Sequence, residues 1–310
     1  MVKPKCNLII DSCCDLPFEI VNREGIELVE FSFILEDGEH IDNLYQSLSG
    51  QEFFEAMRQG AEPKTAQLTM QRIHDAFMAG VKSKIPTVYL AFSSGLSGAF
   101  ETALMVHTQI MKEHPDAELY VVDTKLASLA EGLLVYEAIR QRDKGLSAAE
   151  LAEWAAEAGN YINCQFMVDD LESLRRGGRI PASVAYAGSK LDVKPLLSID
   201  LEGKLFLVGV ARGRKKGIKH LASFYEKRVV KNEPGQCVMV GHSDCPKDME
   251  RLREEVMKID KDILLIDSYI GPVVGSHVGP DMLAVVFWGP DRREDLSVAD
   301  KIARKVKGEH

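Results

Sequence analysis

The chain has 310 residues and a formal net charge of -9, with 45% hydrophobic and 27% charged residues. This length is sufficient for two domains with a large buried core. The negative charge argues against non-specific nucleic-acid binding, which requires a basic surface. No stretch approaches the roughly 18 apolar residues of a transmembrane helix, and the first residues lack the apolar core of a signal peptide. We therefore expect a cytoplasmic protein without an integral membrane segment.

Strand and helix patterns alternate through the first half of the chain. Asp15 is predicted to cap a helix that begins at Leu16. The alternation is typical of a mainly parallel sheet flanked by helices, here an α/β domain over residues 1–159. The predicted strands are Cys6–Asp11, Ile26–Leu35, Thr87–Phe92 and Leu119–Val122. The predicted helices are Leu16–Arg23, Gln51–Arg58, Gln71–Lys82, one directly after Gly98, Leu126–Arg142 and Ala148–Gly159.

The second half, residues 160–310, has a different pattern. The segment Ile199–Lys204, with Gly203 near its turn, predicts a hairpin, and a hairpin requires antiparallel pairing. We expect a mixed or antiparallel sheet with helices, and a last amphipathic helix over Asp295–Lys307. The predicted strands are Gln165–Val168, Pro195–Asp200, Lys204–Val210, Val238–His242, Leu264–Ile270 and Leu283–Trp288.

The turn that follows Thr87–Phe92 carries the strongest functional signal. It consists of Ser93, Ser94, Gly95, Leu96, Ser97 and Gly98, and a helical pattern follows at once. The first N–H groups of a helix lack internal partners and attract anions, so a small phosphate or carboxylate is the predicted ligand. The turn has neither the lysine of a Walker loop nor the three glycines of a dinucleotide fingerprint. A ligand-free connection between strand and helix stays open as the alternative.

Three other polar groups are candidates for the same site, each with a structural alternative. Thr65 could donate a hydroxyl to the ligand, or could only cap a helix. Arg175, Arg176 and Arg179 surround two glycines and could clamp an anion, or could pair with nearby acidic residues. His277 lies in a stretch rich in glycine and proline, residues 271–280, which predicts an unusual loop. It could donate to an anion or move a proton, or could only form a hydrogen bond inside the turn.

A serine-dependent acyl hydrolase or transferase that uses Ser97 and His277 is the alternative function. The motif Gly-x-Ser-x-Gly, which presents the serine in many such enzymes, is absent. The six cysteines have neither the Cys-x-x-Cys spacing nor the ligand spacing of a zinc site, so we expect free thiols and no metal. The adjacent pair Cys13 and Cys14 leaves a redox role open.

Taken together, the motifs of this chain resemble those of the DegV family. They follow one another in family order over nearly the whole chain. The matching segments are Asp11–Pro17, Pro63–Gln67, Ser93–Gly98, Asp123–Ser128, Asp170–Arg179, Lys194–Pro195 and Gly275–Pro280.

The resemblance implies a two-domain protein that holds one long-chain fatty acid in a buried tunnel between the domains. Thr65, Ser97 and Gly98 would bind the carboxylate, with Ser93 and Ser94 nearby and His277 in the surrounding polar network. Some members are the binding subunit of a bacterial fatty acid kinase: they present the fatty acid to a separate kinase subunit and carry away the acyl-phosphate.

The resemblance further implies a protein with no catalytic residue and no cofactor, and transient membrane contact is compatible with such a carrier. Arg176 and Arg212 are its candidates for contact with a kinase. Ala66 and Ala99 depart from the hydroxyl residues that the family usually has there.

Overall fold

The computed structural model describes residues 4–181, 192–230 and 235–295. These residues form three sheets and the helices that cover them. The strands are β1 (Asn7–Asp11), β2 (Ile26–Val29), β3 (Ser32–Leu35), β4 (Gly38–Ile41), β5 (Lys64–Ala66), β6 (Thr87–Ala91), β7 (Leu119–Asp123), β8 (Ile162–Met167), β9 (Val193–Ile199), β10 (Leu205–Arg212), β11 (Cys237–His242), β12 (Leu264–Tyr269) and β13 (Leu283–Trp288). The helices are α1 (Phe18–Val21), α2 (Gly50–Arg58), α3 (Met70–Ser83), α4 (Ala99–Glu113), α5 (Leu129–Lys144), α6 (Ala148–Ala158), α7 (Glu172–Arg176), α8 (Arg214–Arg228), α9 (Pro246–Ile259) and α10 (Pro272–Val278).

The first half contains a four-stranded parallel sheet with the strand order β2-β1-β6-β7. Helices α3 and α4 pack against each other and on this sheet, and α6 packs on β6 and β7. Its strand β6 is buried along its whole length, as expected for a parallel sheet covered on both faces. The predicted α/β architecture of this half is therefore confirmed.

The second half forms a six-stranded mixed sheet with the order β10-β9-β8-β13-β11-β12. All neighbouring strands are antiparallel except β11 and β12. The predicted hairpin is present: β9 and β10 are antiparallel neighbours, and Gly203 in their turn has a φ of 74°. The mixed sheet expected from the sequence is thus confirmed.

Helix α5 connects the two halves. Most of its residues are buried on every side, because it packs on β8, β11 and β13 of the six-stranded sheet as well as on α6. One continuous apolar cluster therefore includes side chains from both halves. A second cluster lies on the opposite face of the six-stranded sheet, under α8 and α9. The division proposed from the sequence, between residues 159 and 160, falls between α6 and β8.

The sequence patterns did not predict the third sheet, which has the order β4-β3-β5. The segment Ile26–Leu35, predicted as one strand, forms two strands that belong to different sheets. The segment is rich in apolar residues and has no glycine or proline at the break, so the sequence pattern did not reveal it. This small sheet matters for function because β5 carries Thr65.

Two further predictions were wrong in detail, and a third falls outside the described residues. The first helix is only α1, because Asp15 is buried in a left-handed conformation with a φ of 51° rather than capping a helix. The predicted loop over residues 271–280 contains the short helix α10, whose first residue Pro272 suits a helix start. The predicted last helix, Asp295–Lys307, lies almost entirely outside the described residues.

Candidate ligand-binding site

A cavity of about 260 Å³ lies where the two halves and the small sheet meet. Its lining is mostly apolar, with polar groups restricted to a few positions, as is typical of sites for small ligands. The apolar lining includes Phe31, Phe92, Leu96, Leu129, Cys164, Phe166, Leu174, Ile199, Leu205, Val273, Val274, Val278, Met282, Ala284 and Val286.

The six-stranded sheet provides one wall of this cavity through the alternation of its strands. Cys164 and Phe166 on β8 are paired in register with Val286 and Ala284 on β13, and all four line the cavity. Side chains alternate between the faces of a strand, so the residues between them point to the opposite face. The wall is therefore formed by alternate residues on one face of two neighbouring strands.

Six polar side chains line the cavity: five of them come from four separate segments of the chain, and the sixth is Ser128. Thr65 Oγ1 lies 2.9 Å from His277 Nε2, so a residue of the small sheet is hydrogen-bonded to one of α10. Gln67 follows β5, and Ser97 precedes α4. The fifth group is the guanidinium of Arg179. All five side chains line the same cavity, which is the arrangement that an anionic group on an otherwise apolar ligand requires.

His277 is a neutral imidazole at neutral pH. Burial, together with the positive charges of Arg179 and Arg176, lowers its pKa to about 4. Its Nδ1 is buried without a hydrogen-bond partner in the described part of the chain. Gly177 lies directly against that atom, and a side chain at residue 177 would collide with the imidazole. The glycine is therefore required for the position of His277.

Arg179 brings a positive charge to the cavity. Its Nε donates to the carbonyl oxygen of Leu96 at 3.2 Å, and Nη1 donates to the carbonyl of Gly177. Among residues 4–181, 192–230 and 235–295, no carboxylate forms an ion pair with it, and burial lowers the pKa of its guanidinium. A half-buried cation paired only with carbonyl oxygens attracts a ligand anion.

The first two serines of the turn, Ser93 and Ser94, form hydrogen bonds outside the cavity. Ser93 Oγ donates to the carbonyl of Gly203 at 2.8 Å, and Ser94 Oγ donates to Asp123 Oδ2 at 2.5 Å. Neither side chain lines the cavity. Gly95 lies against the backbone of the β9–β10 turn, so this glycine permits close packing of the two halves rather than the approach of a ligand.

The remaining arginines lie on the surface. Arg175 forms an ion pair with Glu172, and Arg176 forms one with Glu62 at 2.8 Å. Arg212 is exposed at the end of β10. Of the three arginines in the segment 175–179, only Arg179 lines the cavity. In the sequence all three form one candidate clamp, although their environments differ.

Ser97 and His277 share the cavity but do not form a catalytic pair. His277 Nε2 is bonded to Thr65, and Ser97 Oγ accepts a hydrogen bond from the Ala99 N–H at 3.2 Å. An activated nucleophile normally contacts its base, and a third group orients that base. Here His277 Nδ1 has no such partner within the described residues. This geometry does not favour the hydrolase alternative.

Sequence reasoning missed Gln67 and the apolar walls as parts of the site. Gln67 is the last residue of the Pro63–Gln67 motif, and its amide nitrogen lies 3.0 Å from the position that a Cβ on Gly98 would occupy. The alternation of β8 and β13 could have indicated these walls, because Cys164, Phe166, Ala284 and Val286 line the cavity from one face of the two strands. Alternation alone does not distinguish a cavity wall from a packed core.

Other chemistries find little support in the described part of the chain. It contains no cluster of three or more histidine, cysteine or acidic side chains arranged to bind a metal ion. Its helices include none with the length and apolar character of a membrane span. All six cysteines are free and buried, and burial raises the pKa of the Cys13 and Cys14 thiols well above the usual value.

The fold and the site define an α/β protein with an apolar ligand cavity between two sheets and a cationic, hydroxyl-bearing end. The model of the DegV family matches residues 5–289, and the chain belongs to this family. A DegV domain-containing protein of Clostridium perfringens is 39% identical over 284 residues, which cover 91% of this chain and 97% of that protein.

Solved structures share the fold. A DegV family protein from Thermus thermophilus, described for its fatty acid binding, is 26% identical with a TM-score of 0.79, over 92% of this chain and 100% of that one. A stearic acid-binding protein from Eubacterium ventriosum has a TM-score of 0.78 at 22% identity, over 94% of this chain and 100% of that one. Structural relatives of this chain thus bind fatty acids.

Proposed function

We propose that this protein binds one long-chain fatty acid in a tunnel that extends from the cavity between its two halves. The observation that carries this proposal is the separation of apolar and polar groups in the cavity. Its walls are apolar, and its polar end contains Arg179, which has no acidic partner among the described residues, beside the hydroxyl groups of Thr65 and Ser97. A fatty acid has the same division into an apolar chain and one carboxylate. The binding of fatty acids by structural relatives supports the same ligand.

The carboxylate would be bound by Thr65, Ser97, the Gly98 amide and Arg179. If Nε2 of the neutral His277 carries the proton and donates it to Thr65 Oγ1, the threonine hydroxyl is free to donate to the ligand. Ser97 Oγ accepts from Ala99 and retains its own proton for a second donation. His277 then orients Thr65 and need not carry charge.

The acyl chain would supply most of the affinity. Each buried methylene contributes ~0.8 kcal/mol, so a tail of about fifteen methylenes has a gross term of ~12 kcal/mol before the ordering of ligand and protein is subtracted. The cavity of about 260 Å³ is slightly below the usual range for ligand sites of roughly 300–1,000 Å³. Binding of a long chain therefore requires the apolar walls to move outward.

The protein would act as a carrier rather than as an enzyme. In this proposal it presents the fatty acid to a separate fatty acid kinase and takes up the acyl-phosphate that is formed. Among the described residues, the site has neutral hydrogen-bond donors and the cation Arg179, which suit a carboxylate or the phosphate group of an acyl-phosphate. Arg176 and the exposed Arg212 are the candidates for contact with the kinase.

The combined variant Thr65→Ala with Ser97→Ala tests the carboxylate assignment. Each lost hydrogen bond to a charged group costs about 1.5–3 kcal/mol, so the double variant should bind stearic acid at least ~100-fold more weakly. Ser94→Ala is the matched control, because Ser94 lies in the same turn but faces Asp123. Isothermal titration with delipidated protein measures both. Unchanged affinity in the double variant would refute the assignment.

A further inference from the structure

Gln67 is a polar side chain of the cavity that has no part in the proposed carboxylate site. It directly follows β5, and the next residue, Leu68, is 3% exposed and fixes this part of the chain in the core. The side chain of Gln67 is half-buried and lines the cavity. Within residues 4–181, 192–230 and 235–295, its amide forms no hydrogen bond. Its two N–H groups are therefore free to donate to a ligand.

The amide nitrogen of Gln67 lies beside the start of α4. A Cβ on Gly98 would lie 3.0 Å from Gln67 Nε2 and 3.6 Å from Oε1, so the nitrogen is the nearer of the two polar atoms. Gly98 is the N-cap residue of α4 and gives this helix no side-chain cap. The positive end of the helix dipole and a donating amide thus lie side by side, and both favour an anion.

The carboxylate of a fatty acid does not need the amide of Gln67. An ionised carboxylate has two oxygens with about four lone-pair sites. The proposed site fills these with one donor each from Thr65, Ser97, the Gly98 amide and Arg179. The acceptor capacity of the ligand is then exhausted, and the amide of Gln67 is left over.

Arg179 also has a donor to spare. Its Nε donates to the carbonyl of Leu96 and its Nη1 to the carbonyl of Gly177. Its Nη2 forms no hydrogen bond within the part of the chain that the structure describes. This nitrogen has two N–H groups, and a carboxylate takes one of them. The remaining N–H of Arg179 and the two of Gln67 exceed what a carboxylate accepts.

A phosphate group supplies the acceptors that these donors lack. It has three terminal oxygens and carries more than one negative charge near neutral pH. We propose that Gln67 is a specificity-determining residue: it binds the terminal phosphate of an acyl or alkyl chain and does not contribute to the binding of a carboxylate. For the apolar part of the ligand, this inference rests on the proposed function. It assigns to one side chain the distinction between the two head groups.

Gln67→Leu tests this assignment because leucine has a similar volume and no donor. Isothermal titration of delipidated protein compares tetradecyl phosphate with myristic acid, which have equal numbers of carbon atoms and different head groups. The variant should bind tetradecyl phosphate at least about tenfold more weakly than the wild type, since hydrogen bonds to a charged group are lost. Its affinity for myristic acid should change less than about twofold. Equal losses for both ligands, a loss for myristic acid alone, or no loss at all would overturn the proposal.

Gln59→Leu is the matched control. Gln59 lies at the exposed end of α2, and its amide donates to Glu55 Oε1 at 3.0 Å. This variant should keep both affinities. Gln67→Met, with a side chain of the same length and no donor, is the second variant should Gln67→Leu not fold. A merely structural role of Gln67 would weaken both ligands together, because Thr65 and Ser97 serve both head groups.

The wild-type protein keeps this proposal apart from the fatty acid proposal. Binding of tetradecyl phosphate that Gln67→Leu weakens, without binding of myristic or stearic acid, would refute the fatty acid proposal and leave the role of Gln67 standing. Binding of stearic acid without any binding of tetradecyl phosphate would refute the role of Gln67 and leave the fatty acid proposal standing.

Discussion

The two faces of the six-stranded sheet are both apolar, but one is packed and the other borders a cavity. On β13, Leu283, Val285 and Phe287 belong to the cluster under α8 and α9, whereas Ala284 and Val286 line the cavity. Phe287 packs edge-on against Tyr225 of α8, with ring centroids 5.0 Å apart. Hydrophobic residues therefore indicate only that a face of the sheet is buried. The size of its side chains, and the helix or strand packed against it, determine whether space remains for a ligand.

The largest expected effect follows from filling the cavity. Ala284→Phe places a phenyl ring where the acyl chain would lie, and it should abolish stearic acid binding, with a loss of more than ~100-fold, because each excluded methylene forfeits ~0.8 kcal/mol. Isothermal titration measures the affinity, and urea unfolding should show an intact fold. Val285→Ala, next to it on the packed face, is the matched control and should retain affinity. Equal affinities for Ala284→Phe and the wild type would contradict this use of the cavity.

The packed face should show the opposite pattern. Phe287→Ala removes a fully buried ring and leaves a void, so the free energy of unfolding should fall by about 3–5 kcal/mol. Stearic acid affinity at 20 °C should change little as long as the variant remains folded. Urea unfolding with parallel titration checks both values. A large loss of stearic acid affinity without a loss of stability would contradict the assignment of the two faces, one to packing and the other to the ligand.

A smaller effect is expected at the polar end of the cavity. Arg179→Gln removes the cation that faces the ligand carboxylate, and affinity for stearic acid should fall about 10–100-fold, since hydrogen bonds to charged groups contribute about 1.5–3 kcal/mol. Arg175→Gln is the control, because that arginine is paired with Glu172 on the surface. Should both variants bind alike, the carboxylate would have to lie elsewhere.

Much of the fold could be predicted from the sequence because its strands and helices have clear periods. The parallel and mixed sheets follow from alternating elements and one hairpin. The small sheet could not be predicted, because β2 and β3 read as one alternating strand across the break at Glu30 and Phe31. Helix α10 was also missed, since Gly275 lowers helix propensity and only tertiary contacts stabilise so short a helix.

The candidate site could be predicted only in outline. The motifs that contain Thr65, Ser97 and His277 were found, and the structure brings these three side chains to one cavity. Ser93 and Ser94 have the same residue type and the same turn as Ser97, but the turn directs them to Gly203 and Asp123. Similarly, only the fold distinguishes Arg179 from Arg175 and Arg176. The direction in which a side chain points from an irregular segment cannot be predicted from the spacing of residues in the sequence.

Native mass spectrometry tests the central claim most directly. Delipidated wild-type protein and Ala284→Phe are each mixed with stearic acid and compared under identical conditions. The account predicts one bound stearic acid per wild-type chain and none in the variant. Wild-type protein that takes up no stearic acid, or a variant that takes up as much as the wild type, would contradict the claim that this cavity binds a fatty acid.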